Sequence, residues 1–466
     1  MNKNRTNHKK EPLYYQLYLS MARDIEQGVY KENEKMPSKR SLSDHLGVSQ
    51  NTVDTAYQML VTEGYLRAVA RSGFYVNPVQ KPLLPKQLHP PPSAPNTHTP
   101  EPAWRYNLST NFADAQSFPF ATWAKLTKEV MYEQPNLLNA GHPQGDLCLR
   151  QAIADYLHKY RAVNCTAEQV LVGAGMEYLL MILNVLFERN STFAMETPGY
   201  PKVYQTVTNC GRAVIPIPVT KTGIDISSLQ KSGANLVYIT PSHQFPTGVV
   251  IPIGKRIELL HWANIAPNRF IIEDDYDSEL KYTGKPIPSL QGIDSAGKVA
   301  YIGTFSRSIA RSVRIAYLVL PKALLEKYST TCSHYASTVS RFEQHTLFRF
   351  ITGGHFERHI NRNRNTYRKR REALVCALKN AFPAESIELL GANAGLHIPV
   401  HIKNGMSETE LIDHAKQAKI CLNGISPYYI KNTLPQKSTV LLGFARHSPE
   451  QLEQAAYALA AAWRKT

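Results

Sequence analysis

Apolar residues recur at helical spacing near the start of the chain and in short, strand-like runs further on. Leu13, Leu17, Met21 and Ile25 fall on one stripe, which predicts an amphipathic helix over residues 13–25. Ser38 stands where it can cap a short second helix carrying Leu42 and Leu46, and Gly47 breaks that helix into a tight turn. Ser49 caps a third helix whose apolar face is Val53, Ala56, Tyr57, Leu60 and Val61. Two apolar pieces, residues 65–66 and 74–76, flank Arg71-Ser72-Gly73, so a two-stranded wing with a basic, glycine-containing tip follows.

Further along, the runs at residues 169–173, 192–196, 213–218, 235–240, 270–274, 299–303 and 314–319 read as buried strands. Helix-length segments such as 177–188 and 253–263 lie between several of them. This alternation predicts an α/β fold: a mostly parallel sheet with helices on both faces. From about Pro321 the pattern is helical, with an arginine-rich stretch over 357–371, and a smaller α+β piece follows from about Ile387. Between the two regions stand Pro82, Pro85, Pro90, Pro91, Pro92, Pro95 and Pro100, with few large apolar residues. Such a stretch favours extended conformations and reads as a semi-rigid tether; the other reading is a proline-rich peptide ligand. The expected domains are 11–77, a linker over 78–103, and 104–466, with the small C-terminal piece inside 321–466.

Composition narrows the class. Hydrophobic residues make up 43% and charged residues 19% of the 466, as in soluble globular proteins. No apolar run is long enough to span a bilayer, and residues 1–10 are polar and basic, unlike a secretory signal. Cys148, Cys165, Cys210, Cys332, Cys376 and Cys421 are scattered without ligand spacing, which suits reduced core thiols in a cytoplasmic protein. The net charge of +16 favours a polyanionic partner. Residues 1–78, however, carry 11 Lys plus Arg against 8 Asp plus Glu, so most of the excess lies elsewhere.

Helix, glycine turn, helix is the helix-turn-helix pattern. The third helix opens with Ser49, Gln50, Asn51 and Thr52, hydrogen-bonding side chains suited to base edges and phosphates. On pattern alone, a small helical module that binds protein is the alternative. The run P-L-Y-Y-Q-L-Y followed by M-P-S-K-R-S-L-S-D-H-L-G-V-S-Q-N-T-V-D-T-A-Y-Q-M-L-V-T-E-G-Y-L resembles the GntR-type winged helix over its whole length. The resemblance implies DNA contacts at Arg40, Ser49 to Thr52 and Gly73; Ser38 and Arg71 are placed beside them. That family usually has arginine at the position held by Gln50, so a guanine-reading fork is absent and the operator shifts accordingly.

Three clusters in the second region carry chemistry. Gly173-Ala174-Gly175-Met176-Glu177 joins a strand end to a helix start, where free N–H groups suit a phosphate; a plain turn is the alternative. Ile272-Glu273-Asp274-Asp275-Tyr276-Asp277 ends a strand in four acids. These suit a hard metal, a pyridine nitrogen with Tyr276 at a ring hydroxyl, or merely a solvated acidic loop. Thr304, Ser306 and Arg314, around Gly303-Thr304-Phe305-Ser306-Arg307, can clamp a phosphate or form a polar loop. Together with E-T-P-G-Y-P and T-P-S-H-Q-F-P-T-G, these motifs resemble the fold type I aminotransferases, and more closely the MocR regulators, which fuse a GntR winged helix to that domain.

The resemblance covers nearly the whole chain. It implies pyridoxal 5'-phosphate with Asp274 on the pyridine nitrogen, Tyr276 on the ring hydroxyl, Tyr200 stacked on the ring, and Gly175, Met176, Thr304, Ser306 and Arg314 on the phosphate. It also implies a homodimer, since such enzymes build each active site from two subunits. Arg307 departs from the family, which has a lysine there. A Schiff base needs a primary amine that can lose its proton, and a guanidinium stays protonated with a pKa above about 12. The expectation is therefore a regulator of double-stranded operator DNA whose second domain senses pyridoxal phosphate, an amino acid or their adduct without transamination. Any cofactor is held non-covalently or is absent, and Arg307 serves as a bidentate cation. Lys202 and Arg446 are candidates for an effector carboxylate, and the arginines at 362, 364, 368, 370 and 371 for a solvated or dimer face. A vestigial pocket that only dimerises and an active aminotransferase with an accessory DNA-binding domain are the rivals.

Overall fold

The computed structural model describes residues 12–78, 103–110, 117–282, 287–391, 394–430 and 438–464. The chain divides into two compact units, Met1–Glu101 and Pro102–Thr466. The proline-rich tether falls outside the described residues except at its ends.

In the first unit, helix α1 (Leu13–Gln27) ends at Gly28, whose φ of 80° suits a residue without a Cβ. Helix α2 (Lys39–Leu46) begins at Ser38, whose hydroxyl accepts from the Ser41 N–H at 3.1 Å. Gly47, at φ 63°, makes the turn, and Ser49 accepts from the Thr52 N–H at 3.2 Å to start α3 (Gln50–Thr62). Strands β1 (Leu66–Val69) and β2 (Gly73–Val76) pair antiparallel as the wing, with Leu66 opposite Val76. The α1 stripe sits differently from expectation. Tyr18, Met21, Ala22 and Ile25 are buried, whereas Leu13 is 54% exposed, and in α2 Leu46 is also exposed. The larger Tyr18 ring fills the core while its hydroxyl reaches Glu63 at the edge.

The second unit is built on strands β4 (Val170–Gly173), β5 (Phe193–Thr197), β6 (Val214–Thr220), β7 (Gly223–Ile224), β8 (Leu236–Ile239), β9 (Phe270–Asp275), β10 (Val299–Thr304) and β11 (Ala316–Val319), preceded by the short β3 (Tyr106–Asn107). Their order is β4-β11-β10-β9-β8-β5-β6-β7, with β10, β9, β8, β5 and β6 mutually parallel. Helices α4 (Phe120–Glu133), α5 (Leu147–Arg161), α6 (Met176–Leu186), α7 (Pro201–Asn209), α8 (Ile226–Lys231) and α9 (Ile253–Asn264) intervene along the chain. One apolar layer joins α6 to Phe193, Ile272 and Ile302, while others hold Val172, Tyr301, Ile271 and Trp262. Burial on both faces explains why β4, β8 and β11, buried at every position, are apolar runs rather than alternating ones.

After the short α10 (Phe305–Ser308) come α11 (Lys322–Thr331), α12 (Arg341–Thr352) and the long α13 (His355–Ala381). The terminal portion is an antiparallel sheet of β12 (Ile387–Leu389), β13 (His397–Ile402), β15 (Asn423–Gly424) and β16 (Thr439–Gly443), in the order β12-β13-β16-β15. Helices α14 (Glu408–Gln417) and α15 (Pro449–Ala462) pack with it. Strand β14 (Ile420–Cys421) pairs with β3, so Tyr106 and Leu108 belong to this terminal core although they lie some 300 residues earlier.

Three expectations need correction. Cys332 is buried, but Cys210 and Cys376 are exposed and the other three are half-buried, so the cysteines are not uniformly core thiols. Arg364 donates to the Glu279 carbonyl at 3.1 Å through both Nε and Nη2, and Arg370 donates to the Ala445 carbonyl. These two arginines tie α13 to neighbouring backbone instead of forming a purely solvated face. The acids of the 273–277 run are buried, not a solvated loop.

Candidate functional site

In the winged unit the three-dimensional arrangement keeps the candidate residues accessible. Ser38, Arg40, Ser49, Gln50, Asn51 and Arg71 are exposed, and Thr52 and Gly73 are half-buried. The hydroxyls of Ser49 and Thr52 also contact each other at 2.9 Å, so part of their hydrogen-bonding capacity holds the start of α3. At the wing tip Arg71 adopts φ 62° and Gly73 φ 120°, and Gly73 opens β2 opposite Val69. Lys39 pairs with Asp54 and lies 5.2 Å from the Phe74 ring centre, a contact that the sequence reading did not single out.

In the second unit a cavity of about 190 Å³ opens at the carboxyl ends of the parallel strands. Gly175, Met176, Tyr200, Lys202, Asp274, Tyr276, Thr304, Ser306, Arg307 and Arg314 all line it. Residues drawn from β9, β10 and the starts of α6, α7 and α10 thus converge on one place, as the motifs predict. Arg446 is exposed and does not line the cavity, so it is set aside as an effector ligand. Thr110, Thr240, Phe245, Ile302 and Arg311 also line it and were missed.

Asp274 forms the cavity's acidic floor. Its Oδ2 accepts from the Tyr238 hydroxyl, and its Oδ1 is buried without a partner among the described residues. Burial pushes its carboxyl up to about 7; the Tyr238 bond opposes that rise, and the charges of Asp275, Asp277 and Glu196 reinforce it. A buried orphan acceptor of this kind fits a ring N–H, because such a donor would satisfy the oxygen and stabilise its charge. The neighbouring acids already have partners. Asp275 accepts from Arg161 at 2.6 Å, and the two oxygens of Glu273 accept the N–H groups of Leu290 and Gln291 at 2.8 Å. Asp277 lies 2.8 Å from His243 Nδ1, which is also 3.0 Å from the Tyr276 hydroxyl. The side walls are aromatic: Tyr200 and Tyr276 each meet Phe245 edge-on, at 5.6 and 6.0 Å between ring centres.

Cationic side chains line the cavity as well: Lys202, Arg307, Arg311 and Arg314. Gly175 caps α6 at φ 97°, and an added Cβ there would fall 2.4 Å from Arg314 Nη2, so only glycine leaves this corner open. Arg314 donates to Glu177 Oε2 at 3.0 Å and Lys202 lies 4.0 Å from Glu177 Oε1. Burial works to raise the Glu177 pKa, but its own backbone N–H, then Arg314 and Lys202, hold it below the usual carboxylate range. Thr304 accepts from the Ser306 N–H at 3.1 Å, and both residues line the cavity. Arg307 Nη1 and Arg311 Nη2 both approach the Thr110 carbonyl, at 3.5 and 3.3 Å, and Arg307 Nε is buried without a partner among the described residues. Burial, and after it the like charge of Arg307, pull the Arg311 pKa below its ordinary value.

A parallel sheet with a polar cavity at its carboxyl ends, accompanied by a separate winged helix-turn-helix, defines an aminotransferase-type domain joined to a DNA-reading module. Comparison with known proteins agrees. Residues 106–459 match the family of class I and II aminotransferases, and residues 13–76 match the gntR family of bacterial regulatory proteins. The HTH-type transcriptional regulator YdeL of Bacillus subtilis is 39% identical over 97% of this chain and 97% of its own length. The probable rhizopine catabolism regulatory protein MocR of Rhizobium meliloti is 30% identical over 97% of this chain and 94% of its own. Among solved structures, a multiple substrate aminotransferase from Thermococcus profundus superposes with a TM-score of 0.69 at 24% identity, over 78% of this chain and 92% of that one. The chain belongs to the HTH-type transcriptional regulators of the GntR/MocR type, whose second domain has the aminotransferase fold. Among the described residues no helix is long and apolar enough to cross a membrane.

Proposed function

We propose that this regulator holds pyridoxal phosphate, or a pyridoxal phosphate adduct, non-covalently in the cavity and does not transaminate. Arg307 carries the proposal: it lines the cavity at the position where the resembling family has its lysine. A guanidinium offers no nucleophilic amine and does not shuttle protons near neutral pH. Asp274 would accept the pyridine N–H, Tyr276 would meet the ring hydroxyl, and Tyr200 and Phe245 would flank the ring. Gly175, Met176, Ser306 and Arg314 would hold the phosphate, with Thr304 fixing the Ser306 backbone. Bound there, the cofactor would supply an electron-withdrawing ring, but this chain's residues only bind and orient it.

The reader, residues 11–77, would contact double-stranded operator DNA through Ser38, Arg40, Ser49, Gln50, Asn51, Thr52, Arg71 and Gly73. The tether over 78–103 would join it to the sensing domain of residues 104–466. Assembly as a homodimer through that domain is supported by exposed apolar residues at Tyr132 and Leu138, 79% and 80% accessible. Such a dimer would act in the cytoplasm on paired half-sites. A gel shift on the DNA upstream of the chain's own gene, with and without pyridoxal phosphate, tests the coupling. The operator affinity is expected to change on the order of fivefold or more. Identical binding curves would reject ligand sensing, and steady amino-acid turnover would favour an active aminotransferase instead.

A further inference from the structure

We propose that Arg307 and Arg311 form a second anion subsite in the cavity, a carboxylate clamp separate from the phosphate corner. The regulator's ligand is then a pyridine-bearing phosphate that also carries a carboxylate.

The charge distribution around the cavity points to this. Arg314 and Lys202 share the carboxylate of Glu177, at 3.0 and 4.0 Å. Arg307 and Arg311, among the described residues, have no carboxylate within ion-pair distance. Among those residues both guanidiniums donate to one backbone oxygen, that of Thr110, at 3.5 and 3.3 Å. Two like charges held on one carbonyl repel, and each guanidinium has further N–H donors, with Arg307 Nε buried and unpaired among the described residues. A carboxylate has about four lone-pair sites and accepts guanidinium forks bidentately, so it relieves the repulsion and uses the open donors together. Among the described residues, the acids lining the cavity are Glu177 and Asp274, and Asp274 is already bonded to Tyr238 and assigned to the ring nitrogen.

The same cavity therefore offers two cationic places: Arg314 beside the start of α6, and the Arg307–Arg311 pair beside Thr110. One ligand spanning both carries a phosphate and a carboxylate, with an aromatic frame that packs against Tyr200. A phosphopyridoxyl amino acid has that arrangement. This identification rests on the ligand-binding reading above.

Calorimetry on the full chain tests it with two probes: N-(5'-phosphopyridoxyl)-L-alanine and N-ethylpyridoxamine 5'-phosphate, which lacks only the carboxylate. Wild-type protein is expected to prefer the first by roughly ten- to a hundredfold, as for charge-assisted hydrogen bonds. Arg311→Gln should reduce that preference to within about threefold of unity, and Arg311→Lys should keep part of it. Equal wild-type affinities for the two probes, or an undiminished preference in Arg311→Gln, would overturn the clamp while leaving ligand binding intact. Binding of neither probe to wild type would overturn the ligand-binding reading and the clamp with it. The wild-type comparison stands even where a variant folds poorly.

Discussion

Replacing Asp274 by asparagine should move stability and ligand affinity in opposite directions. In the folded chain its carboxyl is pushed up to about 7 from an ordinary 3.8, first by burial and then by the neighbouring acids, against the Tyr238 hydrogen bond. A group whose folded pKa is raised contributes full stability below its unfolded value and loses it as pH rises through the folded one. The penalty therefore grows between about pH 4 and pH 7 and is complete at pH 8. Three units at about 1.4 kcal/mol each set an upper bound of about 4 kcal/mol. An asparagine amide left partly unpaired costs about 1–2 kcal/mol of that. The net gain at pH 8 is about 2–3 kcal/mol, or roughly 2–4 °C in a unit of this size. Near pH 5 less than half of the ionisation penalty has developed, so the gain should shrink to almost nothing. Scanning calorimetry of both proteins without ligand at pH 8 and pH 5 checks this. In the same variant, affinity for pyridoxal phosphate should fall by about tenfold or more, because the ring N–H loses a charged acceptor. A variant less stable than wild type at pH 8, or one that binds pyridoxal phosphate equally well, would refute the reasoning.

Three further outcomes follow from other parts of the chain. Arg40→Ala, at an exposed position of α2, should leave melting unchanged while weakening operator binding, and should lower the salt slope by about one ion, measured by anisotropy across salt concentrations. Gly175→Ala places a methyl 2.4 Å from Arg314 Nη2 at a backbone φ of 97°, so pyridoxal phosphate affinity should drop by about tenfold and stability by about 1–2 kcal/mol in titration and denaturation experiments. Arg161→Ala strands Asp275 beside Glu273 in the buried layer and should cost about 3–5 kcal/mol in denaturant unfolding, unlike replacement of a surface arginine.

The buried strands were legible because a sheet covered on both faces leaves apolar runs that need no partner to be recognised. Residues 270–274 and 299–303 were expected as strands, and Phe270–Asp275 and Val299–Thr304 form them. The helix starts were legible for a local reason: Ser38 and Ser49 bond N–H groups only three residues ahead. The pairing of Tyr106–Asn107 with Ile420–Cys421 was not, since two-residue strands carry no period and the contact spans most of the unit. At the cavity, motif residues such as Asp274 and Arg314 announced themselves through neighbours in sequence. Tyr238 did not, although a hydroxyl within the apolar run Leu236–Ile239 is itself a sign that a buried partner exists. Nothing in the local sequence marks Arg311 beyond its charge; its meaning lies in reaching the same carbonyl as Arg307, which only the folded backbone reveals. Arg446 was drawn in by its place after a strand, but its side chain is exposed and does not line the cavity.

The most direct measurement mixes purified full-length protein with pyridoxal phosphate, records absorbance, reduces with borohydride and maps the peptides. Wild-type protein should show no lysine-bound chromophore and no modification of the peptide spanning residues 299–319, whereas Arg307→Lys should acquire both. A reducible covalent band in wild type, or amino-acid-dependent conversion of the bound cofactor, would contradict a pocket that binds without reacting.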